Sequence, residues 1–339
     1  MNDPIDIKTQ KIITQPSKNN FDKTLVLEVM EKNIITHWDT WGRFQQVWSN
    51  RAYNTFKDFD KYIVLLYLIR DYYQQHANKF RYQSYDEFYA FDSVKINKIN
   101  LIKISTELNI PKETIRRKVN ELQKDEILKR EGKSIVLQKK LVGYQKPEKS
   151  LDALASFIHK KSQYLQGESW FGDAMSTEEI VAYTKKYFTI LWLRFLNLQI
   201  PFLLRHRDNF RDLETWMIWG NVALHHQKNL NKFMDNSLLN QPIIFKNYFK
   251  KVIDIKISRG VNASSIADIS GIPRATVIRK LRWLVQQKLV KKNKNLEYLL
   301  SHQGKINKNI EINFLNNQIL VAEFLTDFFD YYKNSNFKP

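Results

Sequence analysis

The chain has 339 residues, of which 54 are Lys or Arg and 35 are Asp or Glu, so its formal net charge at pH 7 is +19. A positive excess of this size attracts polyanions, which means nucleic acid or an anionic membrane surface. The absence of cysteine excludes disulfides, thiolate catalysis and cysteine-ligated metal sites.

The first 95 residues are predicted to form a tail and a helical bundle. Residues 1–20 are polar and contain no apolar segment of the signal-peptide type, which predicts a flexible N-terminal tail. Residues 21–95 carry apolar side chains at helical spacing, which predicts a first helical bundle. The core of this bundle is predicted to include Phe59, Ile63, Leu66 and Ile69.

Residues 96–147 have the pattern of two helices followed by a β-hairpin. Asn109 stands between the helices, where a left-handed backbone conformation is needed, and Pro111 begins the second helix. The apolar stripe of that helix is Ile115, Val119 and Leu122. The following run, KREGKSIVL, predicts two short strands with Gly132 in their turn.

Residues 148–255 are predicted to form a linker helix, at Leu151–Leu165, and a second helical bundle. The stretch Tyr187–Leu204 is strongly apolar, but Arg194, Asn197 and Gln199 interrupt it, so it is too polar for a membrane span. We predict a buried helix that ends at Pro201. The core of the second bundle is predicted to include Leu213, Met217 and Val222.

Residues 256–302 repeat the helix–turn–helix–hairpin pattern, with Gly271 in the turn and Pro273 at the start of the second helix. The stripe is Val277, Leu281 and Leu284, and the hairpin is the run KKNKNLEYLL, turned by Asn293 and Asn295. Trp283 lies off the stripe and is predicted to pack against another part of the protein.

The last segment, residues 303–339, contains an amphipathic helical pattern at Ile310–Tyr332. Such a stripe is typical of packing within the chain. A homodimer contact through the same residues is the alternative.

The two helix–turn–helix segments are copies of one another. Ile110–Arg130 and Ile272–Lys292 align without a gap, 162 residues apart. They are identical at Ile110/Ile272, Pro111/Pro273, Thr114/Thr276, Arg117/Arg279, Lys118/Lys280, Leu122/Leu284 and Lys129/Lys291. Upstream, weaker matches at nearly constant offsets pair Trp41–Phe44 with Trp192–Phe195, Phe56–Tyr62 with Phe210–Trp216, and Asn78–Phe80 with Asn231–Phe233. The duplication therefore includes the bundles.

The repeated pattern I-P-[KR]-x-T-[IV]-x-R-[KR]-[VL] resembles the winged helix-turn-helix of Crp/Fnr-type regulators and, more loosely, GntR- and LacI-type motifs. The resemblance covers the two motifs only, and nothing in the chain resembles the cyclic-nucleotide domain of Crp. Pro stands where the family has Ser, and Ala275 stands where a Glu would accept from cytosine. The predicted fold class is mainly α, with tandem duplicated units that each combine a helical bundle, a winged helix-turn-helix and a short β wing.

In this family the second helix enters the major groove and the wing lies beside it, so the resemblance implies two kinds of DNA contact. The predicted base contacts are Lys112, Glu113, Arg116, Arg117, Arg274 and Arg279. The predicted phosphate contacts are Thr114, Lys118, Lys129, Arg130, Lys133, Thr276, Lys280, Lys291, Lys292 and Lys294.

These patterns favour a cytoplasmic, nucleoid-associated protein that binds specific sequences in double-stranded DNA and regulates transcription, with both heads in one chain as a pseudo-dimer. The alternatives are a replication initiator of plasmid or phage type, and a non-specific chromosome-architecture or protein-interaction module. The seven histidines have no metal-site spacing, and no nucleophile–base pair or phosphate loop is found. We therefore expect no enzyme activity, metal, cofactor or membrane partner, and the sequence identifies no small-molecule effector.

Overall fold

The computed structural model describes residues 11–12, 21–79, 81–96, 100–132, 134–139, 147–233, 244–248, 251–252, 259–301, 307–335 and 337. Most of the predicted N-terminal tail and the predicted phosphate contact Lys133 lie outside the described residues. The structure is mainly helical, with small β-sheets.

The helices and strands have the following bounds. The helices are α1 (Lys23–Lys32), α2 (Ile34–Phe56), α3 (Phe59–Ala77), α4 (Tyr85–Tyr89), α5 (Leu101–Leu108), α6 (Lys112–Lys124), α7 (Glu148–Leu165), α8 (Thr177–Lys186), α9 (Phe188–Phe210), α10 (Leu213–Phe233), α11 (Ala263–Ser270), α12 (Arg274–Gln286) and α13 (Asn307–Asn334). The strands are β1 (Lys11–Ile12), β2 (Arg81–Tyr82), β3 (Ser93–Ile96), β4 (Leu128–Glu131), β5 (Ser134–Gln138), β6 (Val290–Lys292) and β7 (Tyr298–Leu300). Strand β1 pairs antiparallel with β2, so part of the predicted tail lies in a sheet.

The long helices α2 and α9 each have 23 residues and end in the same way. Lys57 and Arg211 follow them with positive φ angles of 52° and 69°, which turns the chain sharply. Asp58 and Asp212 come next, and their carboxylates accept hydrogen bonds from the backbone N–H groups three residues on. Each carboxylate therefore caps the helix that follows, α3 or α10.

Helices α2, α3, α9 and α10 form one core rather than two separate bundles. Helix α2 packs against α10, and α3 packs against α9. At the centre of this arrangement the buried amides of Gln45 and Gln199 donate to each other, at 2.8 and 2.9 Å. The helices of the two predicted bundles are thus interleaved across a shared interior.

Helix α9 continues through Pro201, so the predicted break at this residue is wrong. A proline inside a helix removes one backbone hydrogen bond and costs about 3 kcal/mol. The neighbouring side chains of Ile200, Phe202 and Leu203 are buried, and each contributes about 1.5–3 kcal/mol on burial, which offsets that cost. The predicted burial of this segment is confirmed.

In the described part of the chain, no single helix has both the length and the apolar composition that a membrane span needs. Helices α8 and α9 meet these two requirements only as a pair, which is bent by 106°.

The predicted helices at Leu151–Leu165 and Ile310–Tyr332 are confirmed as α7 and α13. Helix α13 packs against α1 and α9, and α7 packs against α8 and α2. The apolar side chains of α13 that are buried include Phe314, Val321, Leu325 and Phe328. The stripe therefore packs within the chain, which leaves Ile312 and Leu315 exposed.

Candidate nucleic-acid interface

Two units have the same order of elements. The N-terminal unit consists of α5, α6, β4 and β5, and the C-terminal unit consists of α11, α12, β6 and β7. Their first helices begin after Asn100 and Asn262, whose side-chain oxygens accept from backbone N–H groups of the first turn. Asparagine forms an effective helix N-cap, so the sequence starts both helices in the same way.

The turns between the helices also match. Asn109 and Gly271 are left-handed, with φ angles of 49° and 68°, which confirms the prediction for both residues. Pro111 and Pro273 precede the second helices with the same φ of −53°. After those helices, Glu126 and Lys288 have identical φ angles of 57°. From the first helix to the residue after the second helix, these positions of the two units match at the spacing of the sequence repeat.

The predicted apolar stripes are confirmed as the buried faces of α6 and α12. Ile115, Val119 and Leu122 are buried on α6, and Val277, Leu281 and Leu284 are buried on α12. These faces pack against α3 and α10 respectively, as well as against the preceding helix of each unit. The opposite face of each helix is left to solvent.

The predicted hairpins are also confirmed. Strands β4 and β5 are antiparallel and turn at Gly132, which has a φ of 59°. Strand β3 joins β5 in antiparallel pairing, so this sheet begins slightly before the predicted domain boundary at residue 96. In the C-terminal unit β6 pairs with β7, and Val261 forms a bridge to Tyr298 in the position that β3 takes in the other sheet.

The solvent faces of these elements carry most of the predicted contacts. The exposed predicted base contacts are Lys112, Glu113, Arg116 and Arg117 on α6, and Arg274 and Arg279 on α12. The exposed predicted phosphate contacts are Lys129 and Arg130 on β4, Lys291 and Lys292 on β6, and Lys294 in the turn that follows β6. Thr114 and Thr276 are half-buried in the first turns of the two helices.

The two exposed faces differ in their carboxylates. On α6, Glu113 forms an ion pair with Arg116, and Glu121 lies 3.7 Å from Nε of Arg117. Helix α12 contains no acidic residue, and Ala275 occupies the position that corresponds to Glu113. The Nε of Arg274 instead donates to Oγ of Ser264, at 3.0 Å.

Two predicted phosphate contacts are wrong, because Lys118 and Lys280 point into the protein. The Nζ of Lys118 lies 2.6 Å from the carboxylate of Asp58 and 2.9 Å from that of Glu121. Its side chain is only 7% exposed. An ammonium that is buried and paired with two carboxylates is not accessible to a DNA phosphate.

Lys280 has the corresponding environment. Its Nζ lies 2.7 Å from the carboxylate of Asp212 and 3.0 Å from that of Glu214, with 9% of the side chain exposed. Both lysines therefore tie a second helix to the helix-capping aspartate of the bundle. Burial raises the pKa of Asp212, but the hydrogen bonds from Lys280 and Thr215 outweigh it, so the net pKa lies below its usual range.

A signal for these anchors was present in the sequence. The matched runs FKDFDKY and FRDLETW both retain the aspartate, at Asp58 and Asp212. The lysines are among the seven identical positions of the repeat. An aspartate and a lysine that both copies retain indicate an ion pair. The two residues are far apart along the chain, however, so the sequence does not show that they are in contact.

The two units lie at the same end of the bundle. Asn50 near the end of α2 donates to the carbonyl of Ile269 in the C-terminal unit, at 3.0 Å, while Asp58 just beyond α2 holds the N-terminal unit. Arg207 near the end of α9 donates to the carbonyl of Asn109 in the N-terminal unit, at 3.2 Å. Asp212 just beyond α9 holds the C-terminal unit. The C-terminal ends of α2 and α9, with the aspartates that follow them, therefore each contact both units.

Trp283 packs partly buried against the core, with the guanidinium of Arg211 5.6 Å from its ring centroid, which confirms its predicted role. Within the described residues there is no group of three or more His, Asp or Glu that could hold a metal ion. Comparisons with protein-family models, curated proteins and solved structures find no significant match to the chain.

Proposed function

We propose that the chain is an internally duplicated protein with two winged helices, and that it binds specific sequences in double-stranded DNA as a transcription regulator. The observation that carries this proposal is the pair of exposed basic helices, α6 and α12, on units of matching backbone. The two units are anchored side by side on one bundle. A chain built in this way would act as a covalent pseudo-dimer.

The proposed duplication is supported by the register of the bundle helices. Gln45 and Gln199 are 154 residues apart and hydrogen bond to each other, as two copies of one residue do across a twofold axis. Asp58 and Asp212 have the same separation, and each pairs with the corresponding lysine of the repeat, Lys118 or Lys280. This register disagrees with the sequence match of Trp41–Phe44 to Trp192–Phe195, which is three residues out of step with the helices.

The proposed binding mode separates affinity from specificity. The exposed lysines and arginine of the hairpins would contact phosphates, which supplies a salt-dependent attraction. Arg117 and Arg279 would reach base edges from α6 and α12, where an arginine can bind guanine through two hydrogen bonds. Lys118 and Lys280 would contribute by fixing the angle of each helix on the bundle.

The test is fluorescence anisotropy with labelled duplexes of mixed sequence over a series of salt concentrations. We expect a strong salt dependence, and we expect Lys129→Ala/Lys291→Ala to reduce the slope of log K against log salt by about 2, or about 1 per lost contact. The matched control, Lys32→Ala/Lys160→Ala, removes the same charge from exposed sites on α1 and α7. Absence of duplex binding, or an equal change in the control, would refute the proposal.

A further inference from the structure

A pocket opens between α2, α3, α9 and the first turn of α7, and its volume is about 370 Å³. Most of its lining residues are apolar, and five of them are aromatic: Trp48, Phe56, Tyr62, Tyr89 and Trp192. Pockets that hold small molecules have volumes of about 300–1,000 Å³ and predominantly apolar and aromatic walls. The space is therefore adequate for a ligand of one or two fused rings.

The other half of the bundle has the same site, but it is filled. At the 154-residue register, Trp48, Tyr62 and Trp192 correspond to Phe202, Trp216 and Trp38, and all three of these line a second cavity of only about 20 Å³. A packed core leaves few such spaces, because voids forfeit dispersion contacts. The small volume of the second cavity is therefore the usual state of a packed core, and the large volume of the first is the exception.

Two larger side chains narrow the second site, in which Gly42 and Gly220 stand where the first half has Leu196 and Leu66. His206 stands where the first half has Ala52, and Trp219 stands where it has Leu65. The imidazole of His206 stacks on the ring of Trp216, with centroids 4.8 Å apart and an interplanar angle of 21°. The second half thus places a ring of its own on the aromatic wall, and the first half has Ala52 at that position and leaves the wall open.

The pocket also has a cationic group at its edge. Nη1 of Arg51 donates to the backbone carbonyl of Lys149, at 2.5 Å, which fixes the guanidinium beside the opening. A guanidinium has five N–H donors, so it can hold that carbonyl and still bind an anion. The one acidic side chain of the lining, Glu148, lies near the hydroxyl of Tyr85; burial and then this carboxylate raise the pKa of Tyr85.

We propose that this pocket binds a small aromatic anion, with its ring against Trp48 and Trp192 and its acidic group on Arg51. The pocket would bind such a molecule whether or not α6 and α12 bind DNA. Its walls Phe56 and Tyr62 flank Asp58, which holds Lys118 of α6. The ligand would therefore sit beside the anchor of the N-terminal unit.

The test uses two fluorescent probes with the full chain, 1-anilinonaphthalene-8-sulfonate and its uncharged relative N-phenyl-1-naphthylamine. We expect saturable binding of the sulfonate at one site per chain. Arg51→Met should weaken sulfonate binding about tenfold, because it removes a hydrogen bond to a charged group, and should leave the uncharged probe unaffected.

The chain itself supplies the variants that close and open the site. Leu65→Trp and Ala52→His copy the second half into the first, and each should abolish saturable binding while circular dichroism remains unchanged. His206→Ala/Trp219→Leu copies the first half into the second, and it should raise the stoichiometry towards two. Sulfonate binding that is absent, or that persists unchanged in the folded Leu65→Trp chain, overturns the proposal.

Discussion

The two units are built alike and charged differently. Both have an asparagine N-cap, a left-handed turn, a proline before the second helix and a buried lysine that binds an aspartate of the bundle. On α6 the carboxylates of Glu113 and Glu121 lie among the arginines, whereas α12 has none. The turn, the start of the second helix and the lysine–aspartate pair are therefore common to both units, whereas the charge of the exposed helix faces differs.

The carboxylates that bind Lys118 and Lys280 belong to different parts of the chain. Both partners of Lys280, Asp212 and Glu214, belong to the bundle, whereas Lys118 pairs with one bundle residue, Asp58, and with Glu121 on its own helix. Lys280 thus forms two ion pairs with the bundle and Lys118 forms one. The N-terminal unit has further ion pairs to α3, through Asp125, Glu107 and Lys103. The two lysines are therefore expected to contribute unequally to the free energy of unfolding.

The largest expected effect follows from breaking these anchors. Lys280→Met leaves two carboxylates of the bundle without their cation, and we expect it to lower the free energy of unfolding by about 2–3 kcal/mol. This is less than the 3–5 kcal/mol for a fully buried pair, because the carboxylates are partly exposed. Lys118→Met should cost about half as much, as measured by denaturant unfolding.

Lys160→Met is the control for this comparison, because Lys160 is exposed on α7 and should change stability by no more than about 0.5 kcal/mol. Equal losses for Lys118→Met and Lys280→Met would contradict the unequal anchoring.

The second expected effect is a pH dependence that the second half introduces through His206. Burial, and then the charge of Arg205, lower the pKa of His206 to about 3. Below the usual histidine pKa of about 6.5, His206 is protonated in the unfolded chain but stays neutral in the folded chain. The free energy of unfolding therefore falls as the pH decreases. Between pH 6.5 and 5 the loss is about 2 kcal/mol for this group, at about 1.4 kcal/mol per pH unit.

Denaturant unfolding of the wild type and of His206→Asn at pH 7 and pH 5 measures this contribution. The variant should lose less stability on acidification, because it has no imidazole to protonate. Ala52 holds the corresponding position in the first half and contributes no titration there. Parallel losses in the two proteins would show that His206 is not the group responsible.

The smallest expected effect concerns the charge of the exposed faces. Glu113→Ala gives α6 the residue that α12 has at Ala275, removes a negative charge near the proposed phosphate path and releases Arg116. We expect affinity for mixed-sequence duplexes to rise about threefold, in line with the small value of an exposed charge. The control is Glu178→Ala on α8, where an exposed acid is also removed. A decrease in affinity for every duplex would assign Glu113 a structural role.

The parts of the fold that sequence predicted are those fixed by local rules. Asn109 and Gly271 marked the turns because few residues adopt positive φ, and Pro111 and Pro273 marked the helix starts. The apolar stripes followed from helical periodicity alone. Both hairpins followed from their turn residues and their alternating pattern.

The parts that sequence did not predict depend on contacts distant along the chain. Lys118 and Lys280 were indistinguishable from the other cations of their helices, because burial of a lysine depends on a partner that no local pattern reveals. The interleaving of the bundles rests on packing such as that of Gln45 against Gln199. Helix α9 passes Pro201 because tertiary burial outweighs local propensity.

The most direct test of two DNA-binding units in one chain is selection of bound duplexes from a random library at physiological salt. We expect a bipartite motif without palindromic symmetry, because α6 and α12 expose different side chains. Its half-sites should lie about 34 Å apart, or a multiple of that distance. Arg117→Ala should relax one half-site and Arg279→Ala the other, by about 1–3 kcal/mol each. Binding without enrichment of any sequence, or enrichment of one half-site that both variants relax equally, would contradict the proposal.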